Sequence, residues 1–443
     1  YHAEFLTGFG TVLSGGFIGV DVFFVISGYL ITGIILDQIS RNQFNLIAFY
    51  TGRVRRIVPA LLVMVIVSTI FSAWYMLPEQ FVNYAKSAFS ALGFFSNFLF
   101  AFEDSYNADA SALKPLLHTW SLGVEGQYYL LYPLLLLLII RASLVKYITG
   151  IILLGFVGSF LIAQFMSTVS QDLNFFLIPS RAWELFAGAA IAILQLQLGG
   201  RQSNSVLSST MPTLGLAMIL FAFVFFDDKM LLPSLLSIVP VAGTGLLIWF
   251  SAKDDLVTDI LSTRPVVFLG KISYSLYLWH FPVFAFMQIG NFGFESVKMK
   301  LVGIGIALCL SLISYYLIER PFRNRNLIGG RPFLSSLSVG LLATVFALTL
   351  TIQNEGFPQR MGELQKLFYD SKRKVASDDN GTCHGRIFGK SCILFSNQSK
   401  NIILIGDSHA AALSWALMKT ASRNNWKLTM ISTDACNQLP GLA

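Results

Sequence analysis

Charged side chains are scarce: only 12% of the 443 residues are charged, whereas 54% are hydrophobic. With a mean hydropathy of +0.64, this excludes a soluble enzyme and indicates a polytopic membrane protein. Cysteine is scarce as well. Four cysteines are too few for a disulfide scaffold. No second pair stands at ligand spacing, so zinc is disfavoured and no metal site is expected. Cys383, Cys392 and Cys436 follow the last apolar run, where Cys383 and Cys392 could close a small loop in an oxidising compartment. Cys309 lies in an apolar run and is expected to be a small buried residue. No basic stripe is interleaved with aromatics, so the net charge of +7 does not point to nucleic acid. There is also no initial Met and no signal peptide. The chain begins in mid-pattern and stops soon after a new domain starts, so both ends are expected to be cut.

What is present is a series of apolar runs. The first complete one is 17–36, after a partial run at 1–6. Others follow at 57–77, 84–102, 120–140, 147–166, 179–196, 211–226, 234–250, 268–288, 299–318 and 334–352. A polar loop is expected over 37–56, with Pro59 opening the next span. Basic residues mark cytoplasmic loops: Arg53, Arg55 and Arg56, then Arg141 and Lys146, Arg201, and the arginines at 320–331. Acidic residues at 103–109, 172, 227–228 and 295 mark the far side. The alternation fails only if 84–102 crosses, so that run is expected to be re-entrant or interfacial. About eleven crossings remain, which places the tail after residue 352 outside the cytoplasm. In that tail, 401–405 reads as a buried strand, Gly406-Asp407-Ser408-His409 as a turn, 410–422 as a helix and 426–432 as a second strand. This is the start of an α/β domain.

The chain is organised around 117–129, LHTWSLGVEGQYY, which runs directly into apolar 130–140. A helix over 120–140 is long enough to cross a bilayer. It carries Glu125 in its first half, with His118 at its entrance. A carboxylate at that depth costs several kcal/mol, about 2.5 or more, unless it faces a protein interior or a wet cavity. Glu125 therefore either lines a site, the favoured reading, or pins helix packing through a buried ion pair. Asp21 sits early in its span, at an interfacial depth or in a structural role. Arg181 and Glu184 are spaced to pair at i,i+3. His280 lies deep in a span, as a packing residue or a catalytic one. His2, in the partial first run, could act as a general base on a sugar hydroxyl. Arg53 and Arg56 suit a phosphorylated donor, because guanidinium groups fork onto phosphate; positive-inside anchoring is the alternative. In the tail, Ser408 stands at a strand-to-helix turn, where a nucleophile is exposed and backbone N–H groups can hold an oxyanion. It could instead merely cap the helix.

In order along the chain, Tyr1-His2-Ala3, 15–29 (GGFIGVDVFFVISGY), Phe49-Tyr50, 53–60 (RVRRIVPA), 118–122 with Glu125 and 127–129, Arg181-Ala182-Trp183-Glu184, 274–282 and 319–323 form a joint pattern. It resembles the membrane-bound acyltransferase-3 family fused to an SGNH-type domain, as in bacterial O-antigen and other surface-polysaccharide O-acetylases. The resemblance implies transfer of an acyl group, usually acetyl, from cytoplasmic acyl-CoA (acetyl-CoA as substrate) across the inner membrane to a polysaccharide hydroxyl. His2 matches the essential first-span His, whose usual companion Arg would precede Tyr1. Arg53 and Arg56 match the pair expected near the donor, with Gly52 where a further Arg is common. Glu125, Tyr274, Glu319 and Arg320 fall on matching positions. Ser408, with Gly406 and Asp407 at its turn, matches the SGNH nucleophile; the Gly, Asn and Asp-x-x-His blocks do not occur before residue 443. The implied domains are a transmembrane acyltransferase over 1–330, a final transmembrane helix at 331–353, a linker at 354–398 and a truncated SGNH-like start at 399–443. A glycan transporter is the main rival, since intramembrane charge also marks transport paths, but no internal repeat supports it. A membrane-anchored extracytoplasmic esterase is the other, and it would not need Glu125, His118 and His280 in its spans.

Overall fold

The computed structural model describes residues 14–103, 111–199, 205–227, 229–252, 255–292, 296–362, 376–378, 381–383, 392–406 and 408–432. The chain divides into two compact units, Tyr1–Gln353 and Asn354–Ala443. The first is helical and polytopic. Among the described residues, seven helices are long and apolar enough to cross a membrane, and two shorter apolar helices accompany them.

The membrane unit opens with a 3-10 turn, Ser14–Ile18, leading into α1, Gly19–Ser40. Helix α2, Leu46–Tyr75, follows. The expected polar loop over 37–56 is therefore mostly helical, and the basic residues at 53–56 sit on α2 itself. Asn45 sets its start: the Asn45 Oδ1 accepts from the Ala48 N–H at 2.9 Å. Pro59 lies inside α2 rather than opening it, as membrane helices tolerate when neighbours satisfy the freed backbone groups. The apolar run at 84–102 is split. Helix α3, Pro78–Leu92, and the short α4, Ser96–Ala101, are separated by a break where Phe94 has φ 59°. At about 1.5 Å per residue neither piece spans a bilayer.

Helices α5, Thr119–Arg141, and α6, Ile148–Val169, come next. The short α7, Gln171–Phe176, then leads to α8, Ile178–Gln197. Beyond lie α9, Ser205–Phe225, α10, Ile238–Phe250, α11, Leu256–Leu261, and α12, Arg264–Ile289. Helix α13, Val297–Ser314, ends in a π turn, Tyr315–Glu319, before α14, Arg320–Arg323, and α15, Gly330–Gln353. Cys309 on α13 is exposed, not buried as expected, because that helix turns much of its surface outward. Helices α1 and α8 pack closely through glycine. A Cβ on Gly28 would come within 1.9 Å of the Leu185 carbonyl, and one on Gly188 within 1.9 Å of that of Val25.

In the second unit, β1, Ser377–Asp378, pairs with β2, Gly381–Thr382. A three-stranded sheet has the order β3-β5-β4, from β3, Cys392–Leu394, β4, Asn401–Gly406, and β5, Lys427–Ser432. Strands β4 and β5 are parallel, so a crossover must join them. Helix α16, Ser408–Asn424, provides it. Strand β3 lies within the stretch read as linker and pairs antiparallel with β5. A disulfide joins Cys383 and Cys392, both buried beside Ala411 and Met430.

Candidate active site

Helix α5 presents two functional faces. Residues four apart share a face, and Ser121, Glu125 and Tyr129 all line one cavity of about 340 Å³. Arg56 of α2 and Tyr274 and His280 of α12 line it as well. On another face, the Gln127 Nε2 donates to the Asn97 Oδ1 at 2.8 Å and to the Phe94 carbonyl at 3.1 Å. Gly126 lets the Phe94 ring in, since a Cβ there would lie 2.6 Å from it. The same motif thus clamps the α3–α4 break and holds Glu125 at the cavity.

The Glu125 carboxylate is 3% exposed. Its Oε1 accepts from the Ser27 hydroxyl at 2.6 Å and from the Tyr129 hydroxyl. The Arg53 guanidinium lies 5.9 Å from the Tyr129 ring centre and 5.7 Å from that of Phe49. Arg53 and Arg56, three apart on α2, therefore approach the Glu125 group from one side. Arg55 projects elsewhere. It is buried, donates to the carbonyls of Phe322, Ile328 and Gly329 at 2.9–3.2 Å, and stacks 4.1 Å from the Phe333 ring centre.

Across the cavity, the Tyr277 hydroxyl donates to the His118 carbonyl. Its single proton is thereby committed, so Ser121 must donate in the 2.7 Å bond between the two hydroxyls. The His280 Nδ1 lies 2.7 Å from the Tyr277 carbonyl. A carbonyl only accepts, so Nδ1 carries the proton and Nε2 is the basic nitrogen of the neutral ring. The His118 and His280 rings are 5.6 Å apart. The Tyr274 hydroxyl donates to the Ile57 carbonyl at 2.8 Å and ties α12 to α2.

Other residues singled out from the sequence form closed networks. Asp21 is 3% exposed and paired with Arg181 at 2.8 Å, because α8 brings that guanidinium against α1. Arg181 also contacts Glu184 at 3.0 Å and donates to the Phe175 carbonyl at 3.0 Å. Its guanidinium lies over the rings of Trp120 and Phe175 at 5.2 and 4.7 Å. Glu319 is buried, accepts from Ser275 at 2.9 Å and pairs with Arg323 at 3.1 Å. Arg320 is exposed and does not line the cavity. Ser27, Ser121, Tyr129, Tyr277 and Arg323 were not singled out from sequence. Helical spacing from Glu125, His280 and Glu319 would have indicated Ser121, Tyr129, Tyr277 and Arg323; Ser27 had no such signal.

In the second unit, Gly406 ends β4 and Ser408 begins α16. This is the carboxyl-end position where α/β sheets place reactive groups. His2 and Asp407 lie outside the described residues.

Comparison with known proteins agrees with this division. An acyltransferase domain family matches residues 1–352, and an SGNH domain fused to such domains matches 376–443. The peptidoglycan O-acetyltransferase OatA of Listeria monocytogenes is 30% identical over 342 residues, 74% of this chain and 54% of that protein. The O-acetyltransferase OatA of Staphylococcus aureus is 29% identical over 325 residues, 71% of this chain and 54% of that protein. The putative peptidoglycan O-acetyltransferase YrhL of Bacillus subtilis is 31% identical over 347 residues, 74% of this chain and 52% of that protein. The chain spans about half the length of these curated relatives. No solved structure matches it. A matched membrane unit that gathers Arg56, Glu125 and His280 at one cavity, followed by a matched SGNH unit, makes this chain a member of the membrane acyltransferase-3 family with a fused SGNH domain.

Proposed function

We propose that this protein is an O-acyltransferase, with acetyl as the acyl group. It takes the group from cytoplasmic acetyl-CoA and delivers it across the bacterial cytoplasmic membrane to a hydroxyl of a cell-wall polysaccharide. The observation that carries this reading is the shared cavity: a guanidinium, a carboxylate and an imidazole from α2, α5 and α12 converge inside a membrane unit. Intramembrane ionisable groups facing a cavity mark functional paths. The names of the relatives favour peptidoglycan over lipopolysaccharide O-antigen as acceptor.

In this mechanism Arg53 and Arg56 hold the donor phosphates by charge-assisted hydrogen bonds. The thioester enters the cavity beside Glu125. An acceptor hydroxyl oxygen forms a bond to the acyl carbon while the carbon–sulfur bond breaks. The hydroxyl proton passes to an imidazole, His2 by resemblance, and then to the departing thiolate, giving free CoA thiol. That first ester then passes its acyl group to Ser408, whose oxygen bonds the acyl carbon as the first ester's carbon–oxygen bond breaks and its hydroxyl is regenerated; the sugar hydroxyl takes the group from Ser408 in the same way, freeing the serine. The second unit then lies outside the cytoplasm, where the Cys383–Cys392 disulfide is stable.

The test is turnover of acetyl-CoA by the purified, complete-length protein in lipid, with Arg56→Ala and His2→Ala as controls. CoA release that saturates with donor and collapses in both variants is expected. Full turnover in both variants would remove the donor assignment, and absence of any turnover would bring the transporter reading forward.

A further inference from the structure

A second cavity, of about 190 Å³, lies back to back with the first. Adjacent residues divide between them. Gly16 lines the first and Phe17 the second; Ser121 lines the first and Trp120 the second; His280 lines the first and Phe281 the second. The wall is therefore one residue thick at three places, and consecutive Cα atoms are only about 3.8 Å apart. His118 faces the second cavity and His280 the first, with ring centres 5.6 Å apart.

The two linings differ in chemistry. The first holds a guanidinium, Arg56, beside Glu125. The second holds Asp172, Asp227 and Gln171 among the rings of Trp120, Phe175 and Phe281. Gln171 Nε2 donates to the Leu232 carbonyl at 2.5 Å, and its Oε1 is buried without a hydrogen-bond partner. Carboxylates and an amide oxygen accept hydrogen bonds, and aromatic faces receive apolar C–H surfaces. A phosphate would be repelled there. A neutral ligand rich in hydroxyl donors would be held.

We infer that the second cavity is a carbohydrate-binding pocket of the membrane unit, which presents a sugar hydroxyl to the donor cavity across the His118–His280 wall. The inference rests on the acyl-transfer reading for its purpose but not for its ligand chemistry. It also places the polysaccharide at the membrane unit itself, in addition to the SGNH unit.

The experiment is calorimetric titration of the complete-length protein in nanodiscs with chitotriose, a soluble N-acetylglucosamine trimer. It is paired with acetyl-CoA hydrolysis measured without acceptor. Asp172→Ala and Asp227→Ala are expected to weaken chitotriose binding about tenfold each, the loss of roughly one hydrogen bond of about 1.4 kcal/mol. Ser111→Trp, which puts a bulky ring into the lining, is expected to abolish binding. Donor hydrolysis should persist in all three, and Arg56→Ala should bind the sugar normally. Unchanged binding in the three variants would overturn the inference, because the sugar would then be held elsewhere. No binding by a wild-type protein that hydrolyses acetyl-CoA would overturn it too, leaving the acyl-transfer reading intact. Sugar binding sensitive to the three variants, without donor turnover, would support the pocket while removing the acyl-transfer reading.

Discussion

At Arg181 a guanidinium is enclosed by Asp21, Glu184, the Phe175 carbonyl and two aromatic rings, and it lines neither cavity. At Glu125 a carboxylate is equally buried, yet it is held by two hydroxyls and forms part of a cavity wall. Both clusters bury charge within the same helical unit. The first satisfies its charge internally and leaves nothing to offer a ligand. The second is held at Oε1 by two neutral hydroxyls and adjoins open space, so a cationic or hydrogen-bonding ligand atom can reach it. Burial therefore does not by itself identify a working residue; the partners and the adjoining space do.

Four measurements bear on this contrast, and the largest effect belongs to Arg181. Its replacement by methionine leaves Asp21 and Glu184 buried together, at a cost of about 3–5 kcal/mol. Thermal unfolding in detergent should show a large drop or no folded protein. Adding Asp21→Asn and Glu184→Gln should restore much of the loss, because removal of a whole buried ionic group is far less costly than removal of one partner. A triple variant as unstable as the single one would show that Arg181 does more than neutralise charge.

Next comes Glu125→Gln. We expect CoA release to fall by about 10²–10⁴ if the carboxylate takes part in proton handling, with the unfolding midpoint nearly unchanged. If stability collapsed and the remaining folded fraction kept full turnover, Glu125 would belong with Arg181 as a packing residue. Arg56→Ala should raise the donor KM about 10- to 100-fold, as expected for a lost charged hydrogen bond of about 1.5–3 kcal/mol. Arg55→Ala should instead lower stability and leave the donor KM unaltered; the opposite split would reverse the roles of the two arginines. The smallest effect should come from Ser27→Ala. Loss of one hydroxyl bond to Glu125, about 0.5–1.5 kcal/mol, predicts a change in kcat of about tenfold or less, and a larger loss would make Ser27 a direct participant.

Much of this was readable in the linear chain. Apolar length located the spans, and loop charge showed that the run at 84–102 does not cross as one helix; the break at Phe94 and the clamp by Gln127 account for it. The order strand, turn, helix, strand was legible in the tail, as was the Cys383–Cys392 pairing. Arg53, Arg55 and Arg56 were placed in one loop, with Arg53 and Arg56 set apart as a donor pair; they lie instead on α2, where helical rotation of about 100° per residue separates Arg55 from the other two. For Asp21 an interfacial and a structural reading both stayed open, because its partner lies 160 residues away and nothing local announces Arg181. Strand β3 was missed because three residues paired only through β5 carry almost no periodic signal.

By itself the sequence determined the membrane class, the family pattern, and the presence of Glu125, His118 and His280 at depths where bare charge or polarity is costly. Those are consequences of hydrophobic length and of the cost of burying polar groups, and both are properties of residue order. Only the tertiary structure decided that Glu125 and Arg56 share a cavity while Asp21 and Arg181 seal one another, and that His118 and His280 stand back to back between two cavities. Such choices depend on which helices touch. Contact between helices is set by where small residues such as Gly28 and Gly188 let backbones approach, over separations that local periodicity does not encode.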